Sequence, residues 1–104
     1  MIAEGTAAKT AAWLVRRIER AEVQTQAGWI RATRMTVEIK GAHITLLVTI
    51  GNEILAEQDV SGVRLIDTGG DVCYLRELNL QKREANGATC RIDIGVRVEE
   101  IGNV

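Results

Sequence analysis

Apolar residues along this chain keep two different rhythms, and the change between them divides it. From Thr6 to about Glu22, Ala7, Ala8, Ala11, Leu14, Val15, Ile18 and Ala21 recur at three- and four-residue spacing, which predicts a helix with one apolar face. Arg16, Arg17, Glu19 and Arg20 fill much of its other side. Thr6 is the candidate cap, although Lys9 three residues on makes no capping box. The end of the helix stays open, because Val23, Thr25, Ala27 and Trp29 alternate with Glu22, Gln24, Gln26 and Gly28. Residues 20–28 read equally as helix or as the start of a strand.

From Trp29 the period is two. Met35, Val37 and Ile39 alternate with Thr36, Glu38 and Lys40, and after a tight turn at Gly41 the alternation resumes with Ile44, Leu46, Val48 and Ile50. Leu47 breaks it, which predicts a central strand covered on both faces. Gly51-Asn52 ends that strand, and Ile54 to Val60, with Glu53, Glu57 and Asp59 nearby, reads as an exposed edge or a loop. Val63 to Ile66, the turn Thr68-Gly69-Gly70 and Val72 to Leu80 form a second hairpin. Asn86-Gly87 is the strongest turn signal in the chain, since type I′ turns need positive φ at both central residues. Ile92, Ile94, Val96 and Val98 then mark a last strand with one buried face.

About six short strands and one helix predict an α+β, mostly β chain: an antiparallel β-sandwich or small barrel with an N-terminal helix. At 104 residues it is expected to be one domain, 1–104, with helix 6–22 packed on, or extending from, a β-rich body over 29–100. The chain has no Pro, so its edge strands lack one common protection against pairing with a neighbour.

Net charge is -1, which gives no overall basic field for nucleic acid or anionic membrane. The distribution is slightly polar: residues 1–34 carry six Lys or Arg against three Glu, and the rest carries seven against eleven acids, a split that suits head-to-tail contact between copies. There is no apolar run of membrane-spanning length, and Met1-Ile2-Ala3-Glu4-Gly5 does not begin like a signal peptide, so the expected place of synthesis is the cytoplasm. Cys73 and Cys90 have neither metal nor redox spacing. With Asn86-Gly87 as the loop of a continuous hairpin, the strand rise of roughly 3.3 Å per residue keeps them too far apart for a disulfide.

The candidate chemistry is sparse. Leu65-Ile66-Asp67-Thr68-Gly69 resembles the signature of retroviral-type aspartic proteases, in which each of two subunits supplies one Asp. In that family the loop comes early and a flap follows it. Here 66 residues precede Asp67, only 35 follow Gly69, and no Gly-rich flap is visible, so a hairpin turn is the preferred reading. The single Ser, Ser61, has no nucleophile elbow, and the single His, His43, stands at a strand start without zinc-ligand spacing. Cys73 and Cys90 alternate within strands and read as small core residues rather than nucleophiles. Gly69-Gly70 and Gly51-Asn52 are not phosphate loops, and no cofactor or metal is implied. Trp13, Trp29 and Tyr74 are the only aromatic residues, too few for a base-stacking surface. The two Trp either anchor the helix on the sheet or mark an interface, and with Arg16 and Arg20 they are the candidate interface residues.

The stretch Val60-Ser61-Gly62-Val63-Arg64-Leu65-Ile66-Asp67-Thr68-Gly69-Gly70-Asp71-Val72, followed by a polar strand, Asn86-Gly87 and a last strand ending Val98-Glu99-Glu100, resembles small structural β-proteins of tailed bacteriophages and prophages, such as tail or head fibre components. It covers roughly the last half of the chain, and the N-terminal helix departs from it. The resemblance implies a non-enzymatic structural or assembly protein, destined for a virion, whose partner is itself or another structural protein. A small soluble protein-binding module is the alternative, and an aspartic protease using Asp67 is the remote one.

Overall fold

The computed structural model describes residues 4–82 and 87–96. Helix α1 spans Glu4–Arg17, strand β1 Ile18–Thr25, β2 Gly28–Arg31, β3 Arg34–Lys40 and β4 His43–Ile50. A four-residue helix α2, Asn52–Leu55, leads to β5 Val60–Asp67, β6 Val72–Leu80 and β7 Ala88–Gly95.

The expected N-terminal helix is present but stops five residues early. Ile18 and Ala21 fit both a helical and a strand period, and the strand wins because β1 has partners on both sides, β2 and β5, each antiparallel. Glu19 and Arg20 therefore belong to β1 and not to the polar side of the helix, and residues 20–25 are strand. Thr6 is not a cap either: it lies inside the first turn, where its carbonyl accepts a 3.0 Å bond from the Thr10 hydroxyl.

Among the described residues two antiparallel sheets face one another, in the order β2-β1-β5-β6 and β3-β4-β7. The sandwich with one helix expected from the sequence is therefore the fold, with seven described strands. Both predicted hairpins form. In β3–β4 the turn starts at Gly41, whose φ of 59° suits the first central position of a type II′ turn, a conformation that side chains rarely adopt. In β5–β6, Gly70 takes φ 87°.

Three expectations are corrected. Asn86-Gly87 does not join a hairpin, because β6 lies in one sheet and β7 in the other. Asn86 itself lies outside the described residues, as does Val98. Gly87 has no positive φ; its small size is what the fold uses, since a Cβ there would fall 2.5 Å from the Ile50 carbonyl oxygen. Leu47 is on a central strand as expected, but its side chain is exposed rather than covered. The segment Ile54 to Val60, read as an exposed edge or loop, begins with the end of α2, whose Ile54 and Leu55 are buried in the core, and ends on buried Val60.

The core lies between the sheets. Val23, Val63 and Leu65 from one layer meet Ile44, Leu46, Val48 and Ile92 from the other, and Leu55 closes one end. Each such side chain contributes on the order of 1.5–3 kcal/mol by leaving water. Ala11 of α1 is fully buried, with Leu14 and Val15 packed against the same cluster. The helix ends where β1 begins, and Thr68 donates its N–H to the Arg17 carbonyl at 2.8 Å, tying the helix C-terminus to the β5–β6 turn.

Candidate functional site

Asp67 is the best-satisfied polar group in its hairpin. Its Oδ1 accepts the Gly69 N–H at 2.8 Å and the Asp71 N–H at 3.0 Å, while its own N–H donates to the Asp71 carbonyl at 2.9 Å. An aspartate that folds back on the next few amides is an Asx turn, and it explains Asp-Thr-Gly-Gly-Asp without invoking catalysis. Cys73, across the turn, is exposed; partial burial together with the charge of Asp67 pushes its thiol up, away from the thiolate a nucleophile needs. Cys90 is buried and free. His43 is exposed at the start of β4. Among the described residues no group of three His, Cys, Asp or Glu could hold a metal ion, and no helix is long and apolar enough to cross a membrane.

A cleft of about 540 Å³ lies between α1, the β5–β6 hairpin and one end of the β4–β7 pair. Ile44, Leu65, Ile94, Trp13, Leu14 and Tyr74 are among its apolar and aromatic lining, and Arg17, Asp67 and Asp93 supply its charges. Trp13 remains 51% exposed, with the Arg17 guanidinium 5.3 Å from its ring centre. Asp93 accepts from Arg91 at 3.0 Å and from Thr45 at 3.1 Å. Its hydrogen bond from Arg91, reinforced by that from Thr45, holds its carboxyl below the usual range.

The four residues expected to mark an interface do not come together as one. Trp29 lies on the outer face of the four-stranded sheet, across Gly62, where a Cβ would come within 3.3 Å of the ring, and the Arg64 guanidinium is 4.3 Å from its ring centre. Arg64 in turn binds Glu22 at 2.7 Å, and Arg20 binds the other oxygen of Glu22 at 2.9 Å. Burial would raise the Glu22 carboxyl, but the hydrogen bonds and charges of Arg20 and Arg64 outweigh it and hold the group below its ordinary value. Trp29 and Arg20 thus seal an outer face of the molecule. Trp13 borders the cleft, and Arg16 is an exposed residue of the last turn of α1. The reading of the two Trp as anchors between helix and sheet is corrected, since Ala11, Leu14 and Val15 do that work.

A surface that sequence reasoning did not single out is the edge strand β3. Val37 and Ile39 point to the same side as their partners Leu46 and Ile44, which are buried, yet they are 37% and 41% exposed. Seven consecutive β3–β4 pairs run without a register shift, whereas β5–β6, one of the two outermost pairings of the other sheet, is shifted twice, and β1–β2, the other, is regular but only four pairs long. The alternation in the sequence located the apolar face of β3; nothing in it said that the face would be only half covered.

Protein-family models, curated proteins and solved structures were all compared with this chain, and none matches it.

Proposed function

We propose that this chain is a non-enzymatic structural protein that works by self-association and, from the resemblance of its C-terminal half, that its setting is a virion. The observation that carries this reading is the β3 edge: a regular, unshifted strand without Pro whose Val37 and Ile39 share a side with the buried Leu46 and Ile44 and still meet water. Natural sheets usually protect such an edge with bulges, Pro, charges or a covering element; β3 has neither bulge nor Pro, and although it carries Arg34, Glu38 and Lys40 and α1 packs near it, Val37 and Ile39 stay exposed. In an assembly protein the exposed edge is the adhesive surface, and its backbone N–H and C=O groups are the bonds that a neighbour completes. Light scattering behind a sizing column across a hundredfold dilution tests the reading. Mass above that of one 11.4 kDa chain, falling on dilution, supports it; a single-chain mass at every concentration rejects it.

A second reading, a protein-binding module, rests on the cleft beside Trp13. Its apolar lining, half-exposed Trp and three charged side chains are the kind of surface into which one anchoring side chain of a partner fits. Trp13→Ala would abolish capture of such a partner and leave the mass in solution unchanged.

A further inference from the structure

Among the described residues the sheets end in four edges, and they are not equivalent. Strand β2 has four residues, too few for a stable pairing. Strand β6 is irregular where it meets β5, and an antiparallel pairing of two β6 strands about Arg76 or Glu77 would oppose like charges. On β7 the inward residues Cys90 and Ile92 are already buried, and Asp93 is held by Arg91 and Thr45, so an added strand there would cover little new apolar surface. Strand β3 combines a straight backbone, exposed inward Val37 and Ile39, and two outward charges, Arg34 and Glu38, that form no ion pair among the described residues.

Those charges select a register. Opposed residues in an antiparallel pair point to the same side, so a two-fold axis must pass through a residue of the strand. An axis at Val37 would put Arg34 opposite Lys40 twice, and an axis at Glu38 would set that carboxylate against its own copy. An axis at Ile39 matches Glu38 with Lys40 but overlaps only three residues of β3, and an axis at Met35 overlaps three with no charge pair. With the axis at Thr36, Arg34 faces Glu38 at both ends, Met35 faces Val37 on the inward side, and Lys40 falls beyond the overlap.

The backbone agrees with that choice. The two-residue turn Gly41-Ala42 closes β3–β4 on the pair Lys40–His43, which is hydrogen-bonded in turns of this kind. Alternation then directs the amides of Thr36 and Glu38 to β4, and those of Met35, Val37 and Ile39 outward. Met35 opposite Val37 is therefore a hydrogen-bonding pair at each end, and Thr36 meets its copy at the wide spacing where side chains approach closest.

We propose that two copies of this chain join β3 to β3 in antiparallel fashion about an axis through Thr36, making one six-stranded sheet with two Arg34–Glu38 ion pairs across the seam. The partner is a second copy, and the inference rests on the self-association proposed above. The pairing is closed: each copy uses its only β3, so the product is a dimer, and any larger assembly is built from dimers through other surfaces.

The test uses cysteine cross-linking in the full chain with Cys73→Ser, which removes the exposed native thiol. Under a mild glutathione redox buffer, Thr36→Cys is expected to form disulfide-linked dimers at least ~10-fold faster than Glu38→Cys, because four residues of strand, roughly 13 Å, separate the two copies of position 38. Independently, Arg34→Glu or Glu38→Arg should weaken dimerisation about tenfold or more by light scattering, and the double exchange should restore it to within about threefold. These positions are exposed, and circular dichroism checks that each variant is folded. A dimer that persists while position 36 links no faster than position 38 overturns the β3 pairing and leaves self-association standing. Open-ended growth in mass that the charge exchanges do not alter does the same. A monomer at all concentrations removes both.

Discussion

Strands β3 and β4 are neighbours with nearly the same pattern, and they lead opposite lives. Each alternates apolar with polar residues, they pair residue for residue, and Val37 lies directly beside Leu46 on the same side of the sheet. Leu46 is completely buried, whereas Val37 is 37% exposed. Alternation reports which way a side chain points; whether anything covers it depends on what stands across the sandwich. Among the described residues β4 has a strand on either side, while β3 is an edge strand paired on one side only, and α1, which packs near it, leaves Val37 and Ile39 exposed.

The largest effect that probes this contrast is Leu46→Ala. It leaves a cavity in the middle of the core and is expected to lower stability by about 2–5 kcal/mol in urea unfolding. A loss below ~1 kcal/mol would mean that the sandwich is not packed around β4. Next, Gly87→Ala sets a methyl group against the Ile50 carbonyl at the end of β4, a backbone contact that cannot rotate away. A loss of about 1–3 kcal/mol is expected, and an unchanged midpoint would show that the entry into β7 does not press on β4.

Glu22→Gln comes third, because it weakens two ion pairs on a partly solvated outer face. A loss of about 1 kcal/mol is expected after allowance for solvent screening. Since the folded Glu22 carboxyl lies below its ordinary 4.5, its contribution is complete well above that value and fades as pH falls through the lower, folded-state value. Wild type and Glu22→Gln should therefore converge in stability on acidification, and parallel curves would refute the link to titration.

The smallest effect belongs to Val37→Ala. Exposed as it is, this change should cost the single chain under about 1 kcal/mol and yet weaken the β3 seam. If it destabilised the chain as much as Leu46→Ala, the contrast between the two strands would collapse.

Particular elements show how far the sequence could be read. The β3–β4 and β5–β6 hairpins were legible because the alternation is local and their turns carry glycines where φ is positive. The hairpin turn after Asp67 was legible for the same reason, whereas the Asx turn that fixes it, with donors two and four residues away, appeared only in the structure. Ile18 and Ala21 were misread as helix, since two periods coincide there and pairing with β5, more than forty residues on, decides between them. Asn86-Gly87 has the best turn composition in the chain, yet Gly87 serves a close approach to Ile50. As for the candidate site, Trp13 was noticed from its rarity, but the cleft around it joins residues from α1, β4, β5, β6 and β7 and has no signature in any one segment.

By itself the sequence determined the class of fold, the faces of its strands and the chemistry of its turns, because these depend on side-chain period and on backbone conformations set within a few residues. Only the tertiary structure decided where the helix stops, which strands share a sheet, that Trp29 lies on Gly62 beneath Arg64, and that the apolar face of β3 is left half uncovered. Burial is a property of what packs from across the molecule, and the local order of residues does not carry it.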